Sequence, residues 1–307
     1  MVKHPVSRFA AFPHGVVAAL VACAMGLLPA CGGSDDEPAT PSASPLSASA
    51  QLSVEGARVT GREEALRIVA RGVVAPLYYG ELVQGALARA FALRPSAGGA
   101  EAPAAPGDRW VVVAPGTGPS GEGRTEVDIE AADHAEGLLL RGEAGSVRAV
   151  LRFENAALGA ARFGGVVTLE VSRAAAGAGS AHRTRAETLA VADAQGTRHW
   201  SFLDVDVDAE QVVQRLTVVS DLTTDPAAPL WIDVVANSPG RLDAARGGAI
   251  LSSGSYMATG VTGFLNARIA LQVEADRGWT IAVDNDQDDE IDFVVRASAD
   301  EARALAR

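Results

Sequence analysis

The chain has 307 residues and a formal net charge of −12 at pH 7. That acidic balance repels polyanions and argues against nucleic acid as a partner. Its one lysine is Lys3, so Schiff-base, Walker A and Ser–Lys chemistry have no lysine to use in the body of the protein.

The first readable element is a targeting segment. Lys3 and Arg8 give a short positive start, and Val16 to Leu28 is an apolar run too short to span a bilayer. It ends in Leu28-Pro29-Ala30-Cys31, which resembles the lipobox of bacterial lipoproteins. The resemblance implies a signal peptide over residues 1–30, cleavage before Cys31, and acylation of Cys31. The partner implied is a membrane, held through lipid chains at about 0.8 kcal/mol per buried methylene. Gly32 and Gly33 stand where an Asp would favour inner-membrane retention in that family. The expected address is therefore the outer membrane, facing periplasm or cell surface. The chain has two cysteines, and Cys23 would leave with the signal. An intramolecular disulfide is then impossible, and the fold must hold by its core.

Residues 31–59, rich in Ser, Pro and Ala, read as a flexible tether. A helical segment follows over 60–98. Thr60-Gly-Arg-Glu63 has capping-box spacing, and Leu66, Val69 and Val73 recur at helical period. Pro76 is expected to interrupt that helix. A second amphipathic pattern runs from Leu77 to Leu93, with Leu82, Ala86, Leu87 and Phe91 on one side. Residues 99–109 form a loop.

From Trp110 the period changes to that of strands. Runs at Trp110–Ala114, Thr125–Glu130, Val147–Phe153, Val166–Val171, Thr188–Val191 and Trp200–Val207 alternate or are β-branched. Val212–Val219, Leu230–Val235, Ile269–Val273, Trp279–Val283 and Ile291–Val295 continue the series. No long helical pattern separates them, so parallel crossovers are not expected. The fold class is mainly β. Residues 110–298 form a long antiparallel meander, or an open half-barrel or sandwich, with the helical segment before it. Residues 299–307 form a C-terminal tail with a short helix.

Two stretches carry a further likeness. Phe153-Glu-Asn155 with Phe163-Gly-Gly-Val-Val-Thr-Leu-Glu-Val171, and the region from Gly248 to Phe293 with its acidic loop, resemble uncharacterised β-rich lipoproteins of high-GC Gram-negative bacteria. Where that family often has Cys after the Asn, this chain has Ala156, and the loop glycine is missing. The resemblance implies a β-rich envelope protein and brings no activity with it.

The sharpest chemical candidate is Asp284-Asn-Asp286-Gln-Asp288-Asp-Glu290-Ile-Asp292. Calcium takes about six to eight oxygens at about 2.3–2.6 Å from a loop whose alternate residues point inward. Asp284, Asp286, Asp288 and Asp292 match ligand positions 1, 3, 5 and 9, and Glu290 offers a carbonyl at position 7. Position 6, usually Gly, is Asp289, and position 12, usually Glu, is Val295. An acidic hairpin tip is the plainer alternative, but so many carboxylates repel one another unless a cation joins them. Calcium is the one cofactor expected.

Other constellations are weaker. Asp204, Asp206 and Asp208 share one strand face, about 6.8 Å apart, too wide a row to close on one ion. Gly116-Thr-Gly-Pro-Ser-Gly121 has dinucleotide-loop spacing, but Pro119 and the following strand pattern point to a hairpin loop. His134, His182 and His199 form no zinc-type pair. A Ser255–His199–Asp triad is a combination that any chain this rich in Ser and Asp permits. The reading is a lipid-anchored, non-enzymatic envelope protein with a structural or protein-binding role. One alternative is a carrier of acyl chains or another hydrophobic ligand, with 61–93 as a lid over a half-barrel. The other is a calcium-dependent binding module. An apolar cavity over the sheet would favour the carrier; side chains filling that space would favour the structural role.

Overall fold

A computed structural model describes residues 58–95, 103–114, 123–193, 196–221, 231–243, 251–260, 265–275 and 278–306. The expected signal peptide, Cys31, nearly all of the expected tether and Gly116–Gly121 lie outside them. The described chain begins with a helix in three parts: α1 (Arg62–Val69), a π-helical turn (Ala70–Val74) and α2 (Ala75–Ala92). Twelve strands follow: β1 (Arg109–Ala114), β2 (Gly123–Asp133), β3 (Gly145–Leu158), β4 (Ala161–Arg173), β5 (Ala181–Asp193) and β6 (Gly196–Val207). The rest are β7 (Val212–Asp221), β8 (Trp231–Leu242), β9 (Leu251–Gly260), β10 (Arg268–Glu274), β11 (Gly278–Asp284) and β12 (Phe293–Ala297), with α3 (Ala299–Ala306) closing the chain.

All twelve strands form one open antiparallel sheet in sequence order, β1 to β12. It is a meander and not a sandwich. Each strand alternates: in β2, Val127 and Ile129 are buried while Arg124 and Glu130 are exposed. The sheet therefore has one apolar face and one wet face.

The apolar face wraps the helix. α1 packs against β11 and β12, the π-turn against β7, β8 and β9, and α2 against β2, β3, β4 and β6. Residues 68–77, apolar but for Arg71, are buried on every side, as a helix that is apolar nearly all round must be. The helical segment is thus not the lid over a hollow that the carrier alternative supposed; it occupies the space the sheet encloses. Tyr79 packs edge-on against Phe163 and Trp200, each at 5.3 Å between ring centroids. Phe91 meets Trp110 in the same way at 5.3 Å, and Trp110 Nε1 donates to the Ala90 carbonyl at 3.0 Å. Charged side chains share the interior. Arg198 pairs with buried Asp193. Burial, and then repulsion from Arg198, pushes the Arg71 guanidinium down to about 10.

Local details depart from the sequence expectation for physical reasons. The helix start is one residue further on: Glu64, not Glu63, accepts from both the backbone N–H and the hydroxyl of Thr60, at 2.8 Å each. Pro76 does not end the helix. It sits in the first turn of α2, directly after the π-turn, where the widened backbone accommodates a residue with no N–H to donate. Strand β9, Leu-Ser-Ser-Gly-Ser-Tyr-Met-Ala-Thr-Gly, is present although no strand pattern was expected there. β12 begins at Phe293, so Ile291 lies in the preceding loop.

At Gly72 the helix lies close against the sheet. A Cβ there would lie 2.7 Å from Ile232 Cδ1 and 3.1 Å from Val234 Cγ2. Gly72→Leu is expected to cost about 1–3 kcal/mol by overpacking, read as a lower denaturant midpoint at unchanged slope. Gly72→Ala should stay within about 1 kcal/mol, because one methyl can rotate away and Ala is the better helix former. A Leu variant as stable as the parent would show that the helix is not pressed on β8.

His182, on the inner face between Val171 and Val207, is held neutral by burial, with its pKa lowered to about 4. The unfolded chain takes up this proton near pH 6.5 and the folded one only near 4. Stability contributed by neutral His182 is therefore full above about 6.5 and falls by up to about 3 kcal/mol as pH drops to 4. His182→Leu should flatten that part of the stability–pH curve. An unchanged slope between pH 6.5 and 4 would assign the acid sensitivity to other groups.

Candidate metal centre

The acidic loop joins β11 to β12. β11 ends at Asp284, whose residue is 4% exposed. Its side chain organises the turn: Oδ1 accepts from Gln287 N at 2.6 Å and Oδ2 from Asp289 N at 3.2 Å. Asp292 Oδ2 accepts from Asn285 N at 2.7 Å, and Asp288 Oδ1 from Glu290 N at 2.8 Å. Asp289, at the position a calcium loop usually gives to Gly, adopts φ +72°. The left-handed turn is thus made without glycine, by a residue whose short polar side chain tolerates it.

Three of the four expected ligand side chains converge; Glu290 is expected to offer only its carbonyl. Carboxylate oxygens of Asp284, Asp286 and Asp292 lie within 4.8 Å of one another, a separation that one ion with ligands at about 2.3–2.6 Å can bridge. The carboxylates of Asp288 and Glu290 are not in that group. Desolvation, then the nearby Asp288 and Asp292, hold the Asp286 carboxyl above its usual range. A charge already stands beside the loop. Arg268 pairs with Asp289, and its Nη1 lies 3.8 Å from Asp284 Oδ2. That guanidinium offsets part of the repulsion the sequence implied.

Asn285 was missed by sequence reasoning. Its Oδ1 accepts from Val59 N at 2.8 Å and its Nδ2 donates to Val59 O at 3.1 Å. This two-point clamp ties the acidic loop to the residues entering α1. A lone Asn among Asp residues reads as turn chemistry, and only the folded chain brings it 226 positions back to Val59.

The remaining candidates are placed as follows. Asp204 is buried and accepts both ends of Arg183, at 2.9 and 2.8 Å, with Arg185 at 3.9 Å and Arg215 at 4.0 Å. Asp208 caps the β6–β7 turn through Glu210 N and Val212 N. Ser255 bonds Ser238 at 3.0 Å. His199 is exposed on β6 and His134 lies beyond the end of β2. A strand, β2, follows the Gly-rich loop where a dinucleotide site needs a helix. A hollow of about 460 Å³, lined by Arg148, Val166, Thr168, Arg185, Glu187 and Phe202 among others, lies on the outer face.

No family model, curated protein or solved structure matches the chain.

Calcium at ten times its dissociation constant should stabilise the domain by about 1.4 kcal/mol, with affinity in the ~10⁻⁴–10⁻³ M range of extracellular modules. The melting temperature should rise with millimolar calcium, and Asp286→Ala with Asp292→Ala should abolish the rise. Superimposable melting curves in calcium and in chelator, at matched ionic strength, would leave an acidic turn balanced by Arg268.

Proposed function

We propose that this chain is a lipid-anchored envelope protein with a non-enzymatic, structural or protein-binding role. One observation carries the choice over a carrier: the concave face of the sheet is filled by the helix, with residues 68–77 buried on all sides. A carrier needs an enclosed apolar space for its ligand. Here that space holds Leu66, Val69, Val73, Leu77 and Tyr79. Binding an acyl chain inside would require the helix to leave and would expose the inner face of all twelve strands. The anchor rests on Leu28-Pro29-Ala30-Cys31. A second reading, a calcium-dependent binding module, draws support from the convergence of Asp284, Asp286 and Asp292.

Labelling cells with radioactive palmitate should mark the wild type and not Cys31→Ser. Lipid extracted from the purified protein should contain no stoichiometric species besides the covalent chains. Equal labelling of the two proteins would refute the anchor. A stoichiometric non-covalent lipid would replace the structural reading with the carrier.

A further inference from the structure

We infer that β1 is an assembly edge, and that a second copy of this chain pairs with it antiparallel about Val111. The two ends of the sheet differ. At β12, Arg62 donates to the Arg296 carbonyl at 3.4 Å, and α1, with α3 against it, packs alongside. At β1, among the described residues, only β2 pairs with the strand.

The hydrogen-bond phase shows what β1 presents. Ile129 N donates to the Asp108 carbonyl at 2.9 Å, and the same register pairs Trp110 with Val127 and Val112 with Thr125. Antiparallel ladders alternate hydrogen-bonded with non-bonded pairs. The main-chain groups of Trp110 and Val112 therefore face β2, and those of Arg109, Val111 and Val113 face outward. Unpaired outward groups on a strand are a template for another strand. Natural edges are usually blunted by charged side chains, Pro or a bulge; β1 carries one charge, Arg109 at its start, and from Trp110 to Val113 has no charge, proline or register shift. Val111 and Val113 are 38% and 52% exposed.

The occupant is argued from self-complementarity. Pairing Val111 with its own symmetry mate places Arg109 opposite Val113 of the other copy, so no like charges meet. Val111 and Val113 from both copies then form an apolar cluster on the outer face. Its rim is made of ion pairs already closed within each chain, Arg109–Asp128 and Arg152 with Glu126 and Asp128. An apolar centre with a satisfied polar rim is the anatomy of a protein interface, and a twofold axis makes one patch serve both sides. The inference goes beyond the proposed function and does not depend on the lipid anchor.

The test uses the full chain over a concentration series, by sedimentation velocity and by amide exchange. The wild type should form dimers. The Val111 and Val113 amides should gain protection as concentration rises, while those of Trp110 and Val112 are protected throughout. Val111→Pro removes an N–H that β2 does not use. By symmetry it deletes two main-chain hydrogen bonds and should weaken association roughly tenfold or more, with unchanged circular dichroism. Val113→Lys, a second variant, keeps the backbone and should also dissociate the dimer. A wild type that stays monomeric overturns the inference. So does a dimer undiminished in both variants. Protection of Val111 that is independent of concentration would mean that the chain itself or another partner covers the edge, and would overturn it equally.

Discussion

A twelve-stranded sheet with one apolar face cannot stay flat in water, and everything else in this fold answers to that constraint. Each inward Val, Leu or Ile left exposed would forfeit about 1.5–3 kcal/mol. A sandwich would satisfy the demand with a second sheet. This chain satisfies it with a single helix laid along the concave face, so that nearly every strand touches the same 31-residue helical stretch, 62–92. The helix is consequently buried on every side at its middle, Arg71 included, and reaches water towards its ends, as at Arg62, Glu63 and Arg67.

Wrapping strands about a helix requires a sheet more curved than twist alone provides, and the register shows where the curvature is made. Irregularities fall at Ile129/Ala131 in β2, Phe153/Ala156 in β3, Val166/Val167 between β4 and β5, and Trp200/Phe202 in β6. Further breaks follow between β7, β8 and β9. Each bulge bends its strand and sharpens the local twist. At Gly165, φ is +118° and a Cβ would lie 2.3 Å from the Thr188 carbonyl. Glycine there lets β4 close on the β5 bulge. The same demand explains the Val59–Asn285 clamp: both ends of the described chain meet at β11 and β12, and the loop there holds the start of the helix it helps enclose.

Much of this architecture was legible in the sequence, because alternation is a local signal. The change of period at Trp110, the antiparallel order and eleven of the strands followed from where Val and Ile recur. What escaped was set by distant partners. β9 carries Ser and Gly where its neighbours carry Val, and it is a strand because β8 and β10 supply ladders on both sides. The place of the helix was left open for the same reason: an amphipathic pattern from Leu77 to Leu93 suits a lid as well as a filling. The uniformly buried stretch through Arg71 and Gly72 decides between them. In the acidic loop, ligand spacing was legible and charge balance was not, since Arg268 arrives from a different strand.

With the interior occupied by the helix, the surfaces open to solvent are the outer face, the loops and the edges, and these differ in how fully their groups are paired. The outer face from β3 to β7 carries an alternating ladder: Arg148, Glu170, Arg183, Asp206 and Arg215 stand in register across five strands. Exposed pairs of this kind are individually worth about 1 kcal/mol or less, yet each charge already faces its opposite. A ligand drawn to one guanidinium must compete with the neighbouring carboxylate, and Asp204 holds Arg183 by two hydrogen bonds at once. Along that ladder, opposite charges alternate, which leaves little unbalanced charge of either sign there. The acidic loop is less completely balanced, since Arg268 is one cation among six acidic residues from Asp284 to Asp292. The β1 edge keeps its main-chain groups uncommitted to any described strand. Function in this fold is expected where these local demands remain unmet.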